Sequence, residues 1–326
     1  LDVGHFQNGL KNEKRMVYIE IIIGFILLVA GGDLLVRGAV KIARHLGVSS
    51  LLIGITLVGF GTSMPELVTS VEAALLESPG IAVGNVVGSN IANVLLILGV
   101  AALLRPISTP RSSFRRDGGM ALMAMLACAA VIFVGFLSRP AGAVLILMLF
   151  GYMIYAYQCE RRTFGAEEPD VSQEKSFSLV LAIFLAFGGL AIVIFGARLL
   201  IFGAIDLAEY AGVSETIIGL TIVAIGTSLP ELITSVMAAI RKESDVAFGN
   251  IVGSNIYNVF GILGVTALVH PIPIPPEIIR LDVWVMIAAT FLMLIFAATN
   301  WRLGRREGAT LLAAYTGYIG YLAYSA

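Results

Sequence analysis

The chain repeats itself at a fixed distance of 165 residues, without a gap, from about Gly31–Ile107 to Gly196–Ile272. Over Gly54–Gly99 against Gly219–Gly264, 27 of 46 positions are identical. Shared hydrophobicity alone would not hold Thr, Ser, Pro, Glu and Asn in register, so this is an internal repeat. The first copy contains Gly59-Phe60-Gly61-Thr62-Ser63-Met64-Pro65-Glu66, then Gly84-Asn85-Val86-Val87-Gly88-Ser89-Asn90-Ile91-Ala92-Asn93. The second contains Ala224-Ile225-Gly226-Thr227-Ser228-Leu229-Pro230-Glu231, then Gly249-Asn250-Ile251-Val252-Gly253-Ser254-Asn255-Ile256-Tyr257-Asn258.

These polar elements sit in sequence of membrane-grade hydrophobicity. Of 326 residues, 58% are hydrophobic and 13% charged, with a mean hydropathy of +0.93. That composition excludes an ordinary soluble domain. A span needs roughly 20 apolar residues, and on that rule ten are expected: 17–38, 50–76, 82–104, 118–137, 141–159, 177–203, 215–240, 246–269, 281–299 and 308–325. The expected fold is an all-α polytopic membrane protein. Its parts are a polar, poorly ordered N-terminal tail (1–16), a first five-helix repeat (17–159), a cytoplasmic linker (160–176) and a second five-helix repeat (177–326). Met16 stands as a candidate natural start. The run from Val17 is read as a transmembrane helix, not a cleaved signal, because many further spans follow it.

Five spans per half is an odd number, so the two copies enter the bilayer in opposite directions, as inverted repeats do. With the N-terminus outside, 15 of the 21 Lys and Arg fall in inner loops, which places both termini outside and the linker inside. The net charge of −1 gives no reason to expect nucleic acid. Cys128 and Cys159 make no disulfide framework. Gly59-Phe60-Gly61 does not open a strand–helix unit and no Walker motif is present, so neither an enzyme nor a nucleotide partner is expected.

A carboxylate inside the bilayer is expensive and is usually there to pair with something that crosses. Glu66 and Glu231 occupy equivalent places in the two copies, as a transporter site would require. One residue before each, Pro65 or Pro230 removes an N–H and clashes with the carbonyl four residues back, so a helix cannot run straight through. The carbonyls of Gly61 and Thr62, and of Gly226 and Thr227, lose regular partners, and in lipid they need a buried one. Ser63 and Glu66 share a face at i, i+3, and Ser89 and Asn93 at i, i+4; Ser228, Glu231, Ser254 and Asn258 repeat the pattern. All candidate ligands are hard oxygens, which suits Ca2+ or Na+ and argues against zinc or copper. Two carboxylates balance one Ca2+. Removing it leaves buried charge that Na+ or protons must replace.

The paired G-T-S-x-P-E and G-N-x-x-G-S-N-x-x-N segments, with the ten-span layout, resemble the α-repeats of the Na+/Ca2+ exchanger branch of the Ca2+/cation antiporter superfamily. That resemblance implies Glu66 and Glu231 as the main Ca2+ ligands, assisted by carbonyls of Thr62 and Thr227. It implies flanking Na+ sites at Ser63, Ser228, Ser89 and Ser254 with backbone at Gly59 and Ala224, and places Asn93 and Asn258 at the centre. It further implies that the first and sixth spans slide against the rest, with Gly31-Gly32 and Gly188-Gly189 as flexible points. Some relatives carry Asp where Asn258 stands, and in the K+-dependent branch an acid there accompanies K+ transport; its absence argues against K+ dependence.

The expected function is therefore Na+/Ca2+ antiport by alternating access at a midplane site of the cell (plasma or inner) membrane. H+/Ca2+ antiport on the same scaffold and a passive cation channel are the alternatives. Ca2+ and Na+ are transported ions, no cofactor is expected, the lipid bilayer is the surrounding partner, and a monomer suffices. Thr69, Ser70, Thr234 and Ser235 are assigned ordinary backbone hydrogen bonding. Asn90 and Asn255 stay open between helix-to-helix bonding and ion contact. Arg115-Arg116 is read as a cytoplasmic anchor.

Overall fold

Backbone polar groups in lipid must be satisfied within the chain, and helices do this residue by residue. The computed structural model describes residues 3–109, 111, 114–164, 178–210, 224–299 and 301–325. Eleven helices position the site: α1 Val3–Leu46, α2 Ser50–Thr62, α3 Met64–Leu75, α4 Pro79–Leu104, α5 Phe114–Val134, α6 Arg139–Phe164, α7 Leu179–Tyr210, α8 Leu229–Ile240, α9 Ser244–Val269, α10 Asp282–Thr299 and α11 Arg305–Ser325. A single turn, Ala224–Thr227, precedes α8.

Among the described residues seven helices are long and apolar enough to cross a membrane, and α2 with α3 makes an eighth candidate bent by 44°. The other two expected spans differ. Of 215–240 only the part from Ala224 is described, and α8 is a short apolar helix. Helix α11 has the length, 21 residues, but opens on Arg305, Arg306 and Glu307 and falls outside the apolar set. The N-terminal tail also departs from expectation, since its backbone is helical from Val3 and continuous with α1. The expected linker lies outside the described residues from 165 to 177. Its first residue, Glu160, belongs instead to α6 and is buried.

Glu160 is buried because a charge waits for it. Arg116 Nη1 donates to Glu160 Oε1 at 2.8 Å, and Arg116 Nε and Nη2 donate to the two oxygens of Asp117 at 2.6 and 2.9 Å. Tyr152 Oη donates to Asp117 Oδ1 at 2.9 Å, and the Ser49 N–H donates to Glu160 Oε2 at 3.1 Å. A buried charge without a partner is costly, so this network fixes the starts of α2 and α5 to the end of α6. Arg116, half-buried with its side chain 9% exposed, is thus a structural cation and not a simple surface anchor; Arg115 is exposed.

Two short antiparallel backbone pairs stand apart from the helical expectation. Ile107–Ser108 pairs with Arg302–Leu303, and Phe136–Leu137 pairs with Ile272–Pro273. Each satisfies loop backbone where helices end, and each joins a loop of the first half to one of the second.

Helices α1 and α7 run antiparallel along a line of glycines spaced by seven: Gly24, Gly31 and Gly38 on one, Gly189, Gly196 and Gly203 on the other. A Cβ on Gly31 would lie 2.8 Å from Val193 N, and one on Gly189 2.4 Å from Leu35 N. Small residues let the two backbones touch, which is how helices associate in lipid. Gly31 and Gly189 are therefore contact points inside unbroken helices. Beyond the glycines, Asp33 on α1 pairs with Arg37 at 2.9 Å and with Arg241 just past α8.

The glycine contact predicts that Gly189→Leu forces α1 and α7 apart and destabilises the protein by about 1–3 kcal/mol or more. Gly151→Ala, at an exposed helical glycine with no described atom within 4 Å of the added Cβ, should leave the detergent-solubilised melting temperature nearly unchanged. Equal melting temperatures for the two variants would contradict the packing assignment.

Candidate functional site

The two helix breaks have the same backbone. Ser63 sits at φ −84°, ψ 6° and Ser228 at φ −88°, ψ 5°, both in the sparsely populated bridge region. Pro65 and Pro230 fall in the first turn of α3 and α8, where a missing N–H costs nothing. Glu66 and Glu231 follow in that same first turn, at the positive end of the helix dipole. Local sequence thus breaks the helix and places a carboxylate at the break, twice.

Both carboxylates are 1% exposed, and each is reached by a hydroxyl from the other repeat. Ser63 Oγ donates to Glu231 Oε1 at 2.9 Å, and Ser228 Oγ donates to Glu66 Oε1 at 3.3 Å. Ser228 Oγ also lies 3.5 Å from Ser89 Oγ. Ser254 Oγ donates to the Gly59 carbonyl at 3.4 Å, so the two repeats interlock at the backbone as well. Thr62 Oγ1 lies 3.1 Å from Val58 O, 3.4 Å from Gly59 O and 3.2 Å from Asn250 Oδ1. The Thr62 hydroxyl is thereby directed at backbone carbonyls of its own helix and at the opposite repeat.

The facing helices α4 and α9 widen at the asparagines. A π-helical turn spans Asn93–Ile97 and another Tyr257–Leu263, a local geometry common at functional sites. Asn93 Nδ2 donates to Asn255 Oδ1 and Asn258 Nδ2 donates to Asn90 Oδ1, each at 3.0 Å. Asn90 and Asn255 therefore bond helix to helix across the repeats. The same bonds use the amide N–H of Asn93 and Asn258.

Besides the Thr234 and Thr266 hydroxyls, four buried oxygens have no hydrogen-bond partner among the described residues: Glu66 Oε2, Glu231 Oε2, Asn93 Oδ1 and Asn258 Oδ1. They form two pairs related by the repeat, and all are acceptors. An orphaned buried acceptor costs about 1–3 kcal/mol, more when charged, and a cation satisfies several together. Groups of three or more His, Cys, Asp or Glu suited to a metal do not occur among the described residues, so the donor set is carboxylate, amide, hydroxyl and carbonyl. That set fits a hard cation.

Of the twelve residues expected at the site, Glu66, Glu231, Thr62, Ser63, Ser228, Ser89, Ser254, Asn93, Asn258 and Gly59 are all buried. Thr227 is half-buried beside the second break, and Ala224 opens the preceding turn. Sequence reasoning missed Asn85 and Asn250, which bond to the glutamate backbones, and Ser70 and Ser235, which those amides also reach. Their recurrence at the same repeat positions was the available signal.

The chain matches the family described as sodium/calcium exchanger protein over residues 16–158 and 181–324. It is 34% identical to the sodium/calcium exchanger MaX1 of Methanosarcina acetivorans, covering 94% of this chain and 98% of that protein. It is 36% identical to the inner membrane protein YrbG of Escherichia coli K12, covering 93% and 94%. Among solved structures it resembles the sodium-calcium exchanger NCX_Mj soaked with 2.5 mM Na+ and 0.1 mM Ca2+, with a TM-score of 0.82, 33% identity and coverage of 94% and 98%.

The cross-repeat hydroxyls predict that Ser63→Ala and Ser228→Ala each weaken Ca2+ binding about tenfold while the protein stays folded. Calorimetric Ca2+ titration of the purified variants checks this, and wild-type affinity in both would overturn it.

Proposed function

This chain belongs to the sodium/calcium exchanger family, and from that premise we propose that it is a secondary antiporter exchanging Na+ for Ca2+ at one midplane site. The observation that carries the reading is the set of four buried acceptor oxygens on Glu66, Glu231, Asn93 and Asn258. The two carboxylates neutralise one Ca2+. When it leaves, their charge must be met by Na+ before the site can move through low dielectric, which couples the fluxes. Without that condition the site would leak.

Glu66 and Glu231 serve as the Ca2+ ligands, with the Thr62 and Thr227 carbonyls. Ser63, Ser228, Ser89 and Ser254, with backbone at Gly59 and Ala224, supply flanking Na+ positions. Asn93 and Asn258 contribute neutral acceptors at the centre. In this reading the chain forms ten spans in two inverted five-helix repeats, 17–159 and 177–326, joined by a cytoplasmic linker. A monomer in the cell membrane, with both termini outside, exposes the site to each side in turn. The chemistry is transport, not catalysis, and the ions are cargo.

Glu66→Gln and Glu231→Gln should each abolish Ca2+ uptake and leave the protein folded, because removing one charge destroys the balance with a divalent ion. Uptake of radioactive Ca2+ into proteoliposomes checks this; wild-type rates in both variants would sink the assignment. The same assay separates the coupling ions. Uptake that requires internal Na+ and ignores an imposed pH gradient supports Na+ coupling, whereas uptake that follows the pH gradient without Na+ makes the chain an H+/Ca2+ antiporter on the same ligands. Conductance without any counter-ion would mark a channel. Because a protonated carboxyl cannot hold Ca2+, uptake should also fall on acidification, and a flat profile down to about pH 5 would contradict the carboxylate assignment.

A further inference from the structure

Each buried glutamate is gripped at its backbone as well as at its side chain. Asn85 Nδ2 donates to the Glu66 carbonyl at 3.0 Å and to Ser70 Oγ at 2.9 Å. Asn250 Nδ2 donates to the Glu231 carbonyl at 3.3 Å and to Ser235 Oγ at 2.9 Å. In both copies the amide stands 19 residues from its glutamate and 15 from its serine. The orientation of the carboxamide is fixed by chemistry, since a backbone carbonyl can only accept and so demands the N–H side. The two occurrences are separate instances of one arrangement.

Asn250 does more. It is fully buried, and its Oδ1 accepts from Thr62 Oγ1 of the opposite repeat. A closed loop results: Thr62 to Asn250, Asn250 to the Glu231 carbonyl, the Glu231 carboxylate to Ser63, and Ser63 back to Thr62 through the peptide bond. The loop passes through the first helix break, reaches the first turn after the second and includes the carboxylate. Neither Ser70 nor Ser235 is among the residues assigned to hold an ion, and the Asn250 Oδ1 is taken by Thr62.

We propose that Asn85 and Asn250 are positioning residues that hold the backbone of Glu66 and Glu231 at the helix breaks, so that the carboxylates meet the cation without rearrangement. This rests on the exchanger reading above. A cradle held in place before the ion arrives loses little ordering entropy on binding. Loosening it therefore raises the concentration of ion needed for half-maximal transport, while saturating ion restores most of the maximal rate.

The test is Na+-driven Ca2+ uptake in proteoliposomes, measured across Ca2+ concentration, together with melting temperature in detergent. Asn85→Leu and Asn250→Leu keep the branched shape but remove the donors, and in Asn250 the acceptor for Thr62 as well; each should raise the half-saturating Ca2+ concentration about tenfold. Ser235→Ala removes the outer acceptor and Ser70→Ala removes it together with the Ser70 bond to the Ala82 carbonyl, and each should raise it about two- to threefold in protein that folds readily. They decide the matter if the leucine variants do not fold. A merely structural role would lower the melting temperature and the yield with half-saturation unchanged; that result in the folded variants overturns the proposal. Should wild-type protein show no Na+- or pH-driven uptake, or Glu66→Gln retain it, the exchanger reading itself fails, which is a distinct outcome.

Discussion

Two carboxylates buried in a membrane protein, each accepting a hydroxyl from the opposite repeat, are the constraint on which the rest of this structure turns. Neither repeat completes its own half. Ser63 reaches Glu231 and Ser228 reaches Glu66, so a carboxylate is solvated only when both copies are docked. In water such a bond would contribute little; in low dielectric an unmet acceptor is costly enough to dictate the packing around it. The helix breaks, the π-helical turns and the cross-repeat amide pairs all serve the same accounting of buried acceptors.

The repeat also divides four asparagines that bond across it into two whose oxygen is taken and two whose oxygen stays open. Asn90 and Asn255 offer their Oδ1 to the partners across the repeat. Asn93 and Asn258 receive nothing on theirs. One residue type in four buried places thus divides into positions whose oxygen is taken across the repeat and positions that give their N–H and keep an open oxygen, and the distinction lies in which neighbour supplies a donor.

Much of this was legible in the chain before folding. The offset of 165, the proline before each glutamate and the oxygen-only composition pointed to the break and its chemistry, and Glu66 and Glu231 are buried in the first turn after the two breaks. What sequence could not supply was the partner across space. Arg116 looks like one more loop cation until Asp117, Glu160 and Tyr152 are seen around it. Ser70 and Ser235 look like self-bonded helix serines until Asn85 and Asn250 reach them. Gly31 and Gly189 look like hinges because glycine is permissive, yet the role of a glycine depends on what stands opposite, and here it is another backbone.

That backbone contact has a mechanical consequence. Glycines repeating every seven residues follow a period of 3.5, so two straight helices of 3.6 residues per turn must wind gently left-handed to stay in touch. From Gly203 against Val17 to Gly38 against Ala186, the seam runs for about 30 Å at 1.5 Å per residue. Two cylinders joined along such a seam resist bending far more than either does singly. Helices α1 and α7 are in effect one strut, and a load applied at one end of it is delivered at the other.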